Sequence, residues 1–182
     1  MNLLEDTKKL LDALPPLVNC WIAGGAARDI FLEQDFTADI DVFFKHSEAA
    51  GDWIDHLRNK GYPEKSSTYA RTFTVPYKNT QIELQIVELG YWDNLEQLFD
   101  DFDWTVCQFS YDSDGLYFRI RAVQDLMKNE LHWCKIKSGY GGVMRMIKYV
   151  NKGYTLSEET VKEFLRAMVD CPPLIEKEWK NQ

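Results

Sequence analysis

Asp39 and Asp41 are separated by one apolar residue in the run Asp39-Ile40-Asp41-Val42-Phe43-Phe44. Alternate side chains of a strand share a face, so the two carboxylates project side by side while Ile40 and Val42 turn to the core. Adjacent carboxylates repel each other unless a cation lies between them. Hard oxygen donors on a rigid strand suit Mg2+, which takes one or two carboxylates and leaves its other positions to water and substrate phosphates. Fifteen residues before Asp39, Gly24 and Gly25 follow the short apolar run Trp21-Ile22-Ala23. Glycines there open backbone conformations closed to other residues and allow a close approach to the main chain. Amides of such a turn at a helix start attract an anion, and Arg28 one turn later adds a forked cation suited to phosphate. A phosphate cradle followed by a carboxylate pair describes a site for a nucleoside triphosphate and its metal.

Gly24-Gly25-Ala26-Ala27-Arg28-Asp29 followed by Asp39-Ile40-Asp41 resembles the Gly-Gly, Arg-Asp, Asp-x-Asp signature of the DNA polymerase beta superfamily of nucleotidyltransferases. It is most similar to the head domain of class II CCA-adding tRNA nucleotidyltransferases and bacterial poly(A) polymerases. A lone glycine pair or acidic pair is common, whereas the two in this order and at this offset form a specific combination. The resemblance implies attack of a hydroxyl on the α-phosphorus of a nucleoside triphosphate, ATP or CTP, with release of pyrophosphate. It also implies two Mg2+ ions, replaceable by Mn2+, held by Asp39, Asp41 and Glu83. Gly24, Gly25 and Arg28 would hold the β- and γ-phosphates, and Asp29 would fix the loop through backbone hydrogen bonds.

Ile82-Glu83-Leu84 resembles the family's Ile-Glu-Val, which supplies the third acid. Ile82, Leu84 and Ile86 alternate with Gln81, Glu83 and Gln85, so Glu83 lies on the polar face of a strand, either beside the Asp39/Asp41 strand or facing solvent. The sequence then departs from the family. Glu88 stands where an arginine follows, and Asp101, Phe102 and Cys107 replace two arginines and an asparagine around the matching Asp103-Trp104-Thr105. Recognition of the incoming nucleotide must therefore differ. Asp103 suits a structural or substrate-orienting role, and Arg145 and Lys148, near one face of a helix, face either phosphate or solvent.

These residues need elements to position them. Apolar spacing predicts a helix over residues 3–14, packed beside the first strand, and a Ser47-capped helix reaching Asn59. Two strands are expected over 66–76 and 81–89, a short helix over 91–99, and a hairpin turning at Asp112-Ser113-Asp114-Gly115. Residues 122–129 resemble the family's turn and helix after the last head strand, and the segment from Gly139, with Gly141-Gly142 as a helix entry, resembles its entry into the neck; a Ser157-capped helix follows, Pro172-Pro173 closes it, and Trp179 reads as a docking residue. The expected fold is α/β (α+β), a small mixed sheet flanked by helices. A nucleotidyltransferase head would occupy residues 1–126, and a short helical neck-like extension 127–182. The resemblance covers residues 21–156 and is strongest at its beginning.

The chain has 182 residues, 45% hydrophobic and 14% aromatic, enough for a packed core. No run approaches the length of a membrane span, and the amphipathic start, with mixed charges, is unlike a signal peptide, so a cytoplasmic protein with no membrane partner is expected. Cys20, Cys107, Cys134 and Cys171 show no paired metal spacing and read as reduced thiols. His46, His56 and His132 show no spacing for a metal site or a catalytic base and read as solvated or helix-face residues. A net charge of −8 argues against a general nucleic-acid binder. Its distribution is uneven: residues 88–114 carry eight acids and no Lys or Arg, and residues 119–152 carry eight Lys or Arg against two acids. Both runs suit solvated surface; if RNA is bound, the later run is the place for it. The acceptor remains open among an RNA 3′ end, favoured by analogy, and a small-molecule or protein hydroxyl. A nucleotide-binding regulatory protein without turnover is the reading from another class.

Overall fold

The computed structural model describes residues 3–135 and 139–170; Cys171, Pro172-Pro173 and Trp179 lie outside the described residues. The chain forms two units, Met1–Gln97 with Phe109–Phe118, and Leu98–Gln108 with Arg119–Gln182. The first contains α1 (Glu5–Ala13), β1 (Cys20–Ala23), α2 (Gly25–Phe31), β2 (Ile40–Phe44), α3 (Ser47–Asn59), β3 (Glu64–Ser66), β4 (Ala70–Tyr77) and β5 (Thr80–Val87). A hairpin, β6 (Phe109–Asp112) and β7 (Gly115–Phe118), returns to it. The strands make one seven-stranded sheet in the order β3-β4-β5-β2-β1-β6-β7. Within this sheet, among the described residues, β2 and β5 run parallel and the other pairings are antiparallel, which gives the expected mixed sheet.

Alternation decides which face of β2 is buried. Ile40, Val42 and Phe44 are completely buried, while Asp39, Asp41 and Phe43 are half-buried. Leu84 and Ile86 of β5 continue the apolar face, and Ile30 of α2 with Trp53, Ile54 and Leu57 of α3 belong to the same core. Each such side chain contributes about 1.5–3 kcal/mol on burial, so the polar face of β2 is held by what lies behind it.

Three local expectations are corrected. The cap of α3 is His46, not Ser47: extended backbone at His46 lets Nδ1 accept from Ala49 N at 3.3 Å. The helix expected over 91–99 is α4, Leu95–Asp100. Trp92 cannot join it, because its N–H donates to Phe44 O at 3.1 Å and its ring meets Phe43 edge-on at 5.4 Å. The strand expected over 66–76 is broken at Ser67, whose Oγ accepts from Tyr69 N and Ala70 N and so turns the chain.

The second unit holds a 3-10 turn (Thr105–Cys107), α5 (Ile120–Lys128), β8 (Glu130–Leu131), α6 (Gly139–Asn151), β9 (Thr155–Leu156) and α7 (Glu158–Asp170). Asn129 ends α5 in the left-handed conformation, and Ser157 Oγ accepts from Thr160 N at 3.0 Å as the expected cap of α7. Trp104, Trp133 and Phe164 pack ring against ring at 5.0–5.6 Å. Among the described residues no helix is long and apolar enough to cross a membrane.

Candidate functional site

β1 delivers the chain to Gly24, whose φ of 77° and ψ of −130° are closed to ordinary side chains. Its N–H donates to Phe109 O at 3.0 Å and its carbonyl accepts from Arg28 N at 3.1 Å, so one residue closes the strand and opens α2. Arg28 is buried, and its guanidinium folds back over the turn: Nη2 would lie 3.8 Å from a Cβ placed on Gly25. Asp29 is also buried and serves the loop that follows. Its Oδ2 accepts from Thr37 N at 2.8 Å and Thr37 Oγ1 at 2.9 Å, and its Oδ1 from Gln34 Nε2 at 2.9 Å. The loop so held leads directly to Asp39.

The register places Asp41 opposite Ala23 on one side and Gln85 on the other. The Gln85 amide reaches Asp39, with Nε2 donating to Oδ2 at 2.6 Å. Glu83 lies two residues before Gln85 on the same face; it is exposed, and Lys65 Nζ stands 3.5 Å from its carboxylate. Asp39 and Glu83 both line an open cleft of about 440 Å3, with Thr37, Thr80 and Gln81. The structure therefore gathers Gly24, Asp39 and Asp41 at the facing ends of β1 and β2 and leaves Glu83 exposed on the neighbouring strand β5. Gln85 is the residue that sequence reasoning passed over. Its signal is the polar alternation of β5, which sets Gln85 on the same face as Glu83.

The model of the Gabija anti-defense 2 family matches residues 2–129. The chain belongs to the Gabija anti-defense 2 family. A curated relative, Gabija anti-defense 2 of Bacillus phage SPbetaL7, is 27% identical over 158 residues, covering 84% of this chain and 37% of the relative. Solved structures of similar fold include an apo tRNA-processing enzyme, with a TM-score of 0.62 and 15% identity over 92% of this chain and 48% of that one. The Bacillus stearothermophilus CCA-adding enzyme in complex with CTP gives a TM-score of 0.58 and 17% identity over 87% of this chain and 42% of that one. A tRNA nucleotidyltransferase complexed with a primer tRNA and an incoming ATP analog gives 0.54 and 16% over 83% and 46%. These likenesses establish a nucleotidyltransferase-like fold similar to that of CCA-adding enzymes. The chain spans 37% of the length of the curated relative and less than half of these structures.

The second unit of this Gabija anti-defense 2 family member shows how the altered positions are used. Asp101 accepts from Lys135 Nζ at 2.6 Å, Asp103 from Arg145 Nε, and Cys107 Sγ lies 3.0 Å from Tyr149 Oη. Asp103 is buried, and Lys148 is exposed on α6. In the first unit, Glu88 is balanced by Arg71 Nε at 3.0 Å. Asp125, Glu130 and His132 bring ligand atoms within 4.8 Å of one another, which corrects the solvated reading of His132. Arg121 Nε already stands 3.0 Å from the buried Asp125 carboxylate, and Thr105 donates its hydroxyl there, so the group fastens α5 to the 3-10 turn. Among the described residues Cys20, Cys107 and Cys134 are in no disulfide; burial pushes Cys20 and Cys134 up to about 12, far from a nucleophilic thiolate at neutral pH.

Proposed function

We propose that this Gabija anti-defense 2 family member is a metal-dependent nucleotidyltransferase of the DNA polymerase beta type, moving a nucleoside monophosphate from a triphosphate to a hydroxyl. The observation that carries the reading is the placement of Asp39 immediately before β2 and Asp41 within it, with Asp41 directly across from the end of β1 where the Gly24 turn begins, within a nucleotidyltransferase-like fold. The donor set fits a hard divalent ion: two half-buried carboxylates, with the Gln85 amide donating to one of them, Asp39. Asp39 and Asp41 would hold Mg2+ or Mn2+, and Glu83, which shares the cleft with Asp39, would serve a second ion. Such ions make a hydroxyl a better nucleophile and offset the charge of a triphosphate. Gly24 and Gly25 leave room for the β- and γ-phosphates, Arg28 supplies a forked donor, and Asp29 braces the loop that delivers Asp39.

ATP or CTP as donor and an RNA 3′ end as acceptor are favoured by the ligands of the structurally similar proteins, one holding CTP and another a primer tRNA with an ATP analog. A use of this activity in countering a defence system is favoured by the family name. A reading without turnover is favoured by the departures, with Asp101 held by Lys135 and Glu83 facing Lys65. Pyrophosphate release separates the two. With Mg2+, ATP or CTP and total RNA, release that disappears in Asp41→Ala, with its folding intact, supports transfer. Tight binding of the metal-nucleotide with no release supports the binding protein.

A further inference from the structure

We infer that Gln85 is a positioning residue for the metal pair, holding Asp39 by an amide–carboxylate hydrogen bond so that the second carboxylate oxygen is presented to a divalent ion. The inference rests on the reading of Asp39 and Asp41 as metal ligands.

Asp41 is fixed by two strand partners, Ala23 and Gln85. Asp39 lies one residue before β2 begins and lacks a place in that ladder. Its direction is set instead by the Asp29–Thr37 clamp behind it and by Gln85 Nε2, 2.6 Å from Oδ2. Gln85 is itself well anchored, since its neighbours Leu84 and Ile86 are completely buried and its backbone pairs on both sides. The chemistry of the amide matters as much as its reach. A lysine or arginine there would orient Asp39 but would also compete with a metal for its charge. A neutral amide orders the carboxylate and leaves that charge in place. Partners of this kind fix the direction of a ligating group and set how tightly it binds. The signature Asp-x-Asp names the ligands; Gln85 supplies the alignment that lets the two act together.

The test measures binding of Mn2+ alone to the full chain, from the electron paramagnetic resonance signal of the free ion. The double variant Asp39→Ala/Asp41→Ala first identifies the ion's site. Gln85→Ala and the near-isosteric Gln85→Leu are expected to weaken Mn2+ by about tenfold or more, the range for loss of a ligand's hydrogen-bond partner. Gln85→Glu is expected to melt at lower temperature than wild type in chelator and to recover on adding Mn2+, because a third facing carboxylate repels until an ion neutralises it. A purely structural role would lower the melting temperature equally with and without Mn2+. Should Gln85→Ala fail to fold, Gln85→Leu and Gln85→Glu carry the test. Affinities within twofold of wild type in the Gln85 variants, with binding lost in the Asp pair variant, would overturn the inference and leave the proposed function standing. Mn2+ binding that is absent, or indifferent to the Asp pair, would remove the metal-pair reading and the inference with it.

Discussion

Asp29 is 1% exposed and accepts three hydrogen bonds from the loop that leads to Asp39. Removing its carboxylate leaves those donors to find water or go unpaired, a loss of about 1–3 kcal/mol. Asp29→Ala should therefore shift the urea midpoint down with the slope unchanged; a shift equivalent to less than about 0.5 kcal/mol, the usual limit for an inconsequential surface change, would show that the clamp is dispensable. The bracing role was legible in the motif, but its partners were not, because nothing in the spacing says that Thr37 and Gln34 return to Asp29. Gln85 was hidden for a related reason. Strand alternation gives the face of a residue, while the neighbour it meets depends on a pairing between strands far apart in sequence, such as β2 and β5.

At the scale of elements, the two glycines of the strand–helix turn do different jobs. Gly24 holds a backbone conformation that costs another residue about 1–3 kcal/mol, so Gly24→Ala should destabilise by that amount. Gly25 is helical, and an added Cβ would make only an ordinary contact with Arg28 Nη2 at 3.8 Å. Gly25→Ala should keep its melting temperature and bind Mg-ATP more weakly, since the methyl occupies space assigned to phosphate; unchanged affinity would move the triphosphate away from this turn. Hydrogen bonds from Arg58, and also Arg71, hold the Glu64 carboxyl below the ordinary glutamate range. A lowered acid contributes stability above its unfolded value and loses it as pH falls through the lowered one. Wild type and Glu64→Gln should thus differ slightly in melting temperature at neutral pH and converge in acid; a gap that persists below the glutamate range would contradict the pairing. The alternation of β2 and β5 was plain in the sequence, whereas β3 was not, because Glu64, Lys65 and Ser66 are all exposed and carry no apolar period.

Over the whole molecule, part of the uneven charge along the sequence is paired internally. Asp100, Asp101 and Asp103 of the acidic run accept from Arg119, Lys135 and Arg145 of the basic run, all within the second unit. Cations already matched to carboxylates release few phosphate counterions. RNA binding measured by fluorescence anisotropy should therefore weaken only shallowly with salt, with a slope of magnitude below about 3 in log K against log salt; a slope near 6 would require a basic surface that these pairs do not leave. The mixed sheet, the glycine turn and the acid pair were readable because each has a local pattern. The pairing of the two charge runs was not, since it depends on bringing residues 100–103 against residues 119–145.

Transfer of label from α-phosphate-labelled ribonucleoside triphosphates, tried one base at a time with Mg2+ or Mn2+ into total RNA and cell extract, tests the central claim most directly when run beside Asp39→Ala/Asp41→Ala. The account predicts label in RNA, strongest from ATP or CTP, that the double variant abolishes while remaining folded. Label confined to protein or small molecules would correct the acceptor. Metal-nucleotide binding with no variant-sensitive label in any acceptor would contradict catalysis by this carboxylate pair.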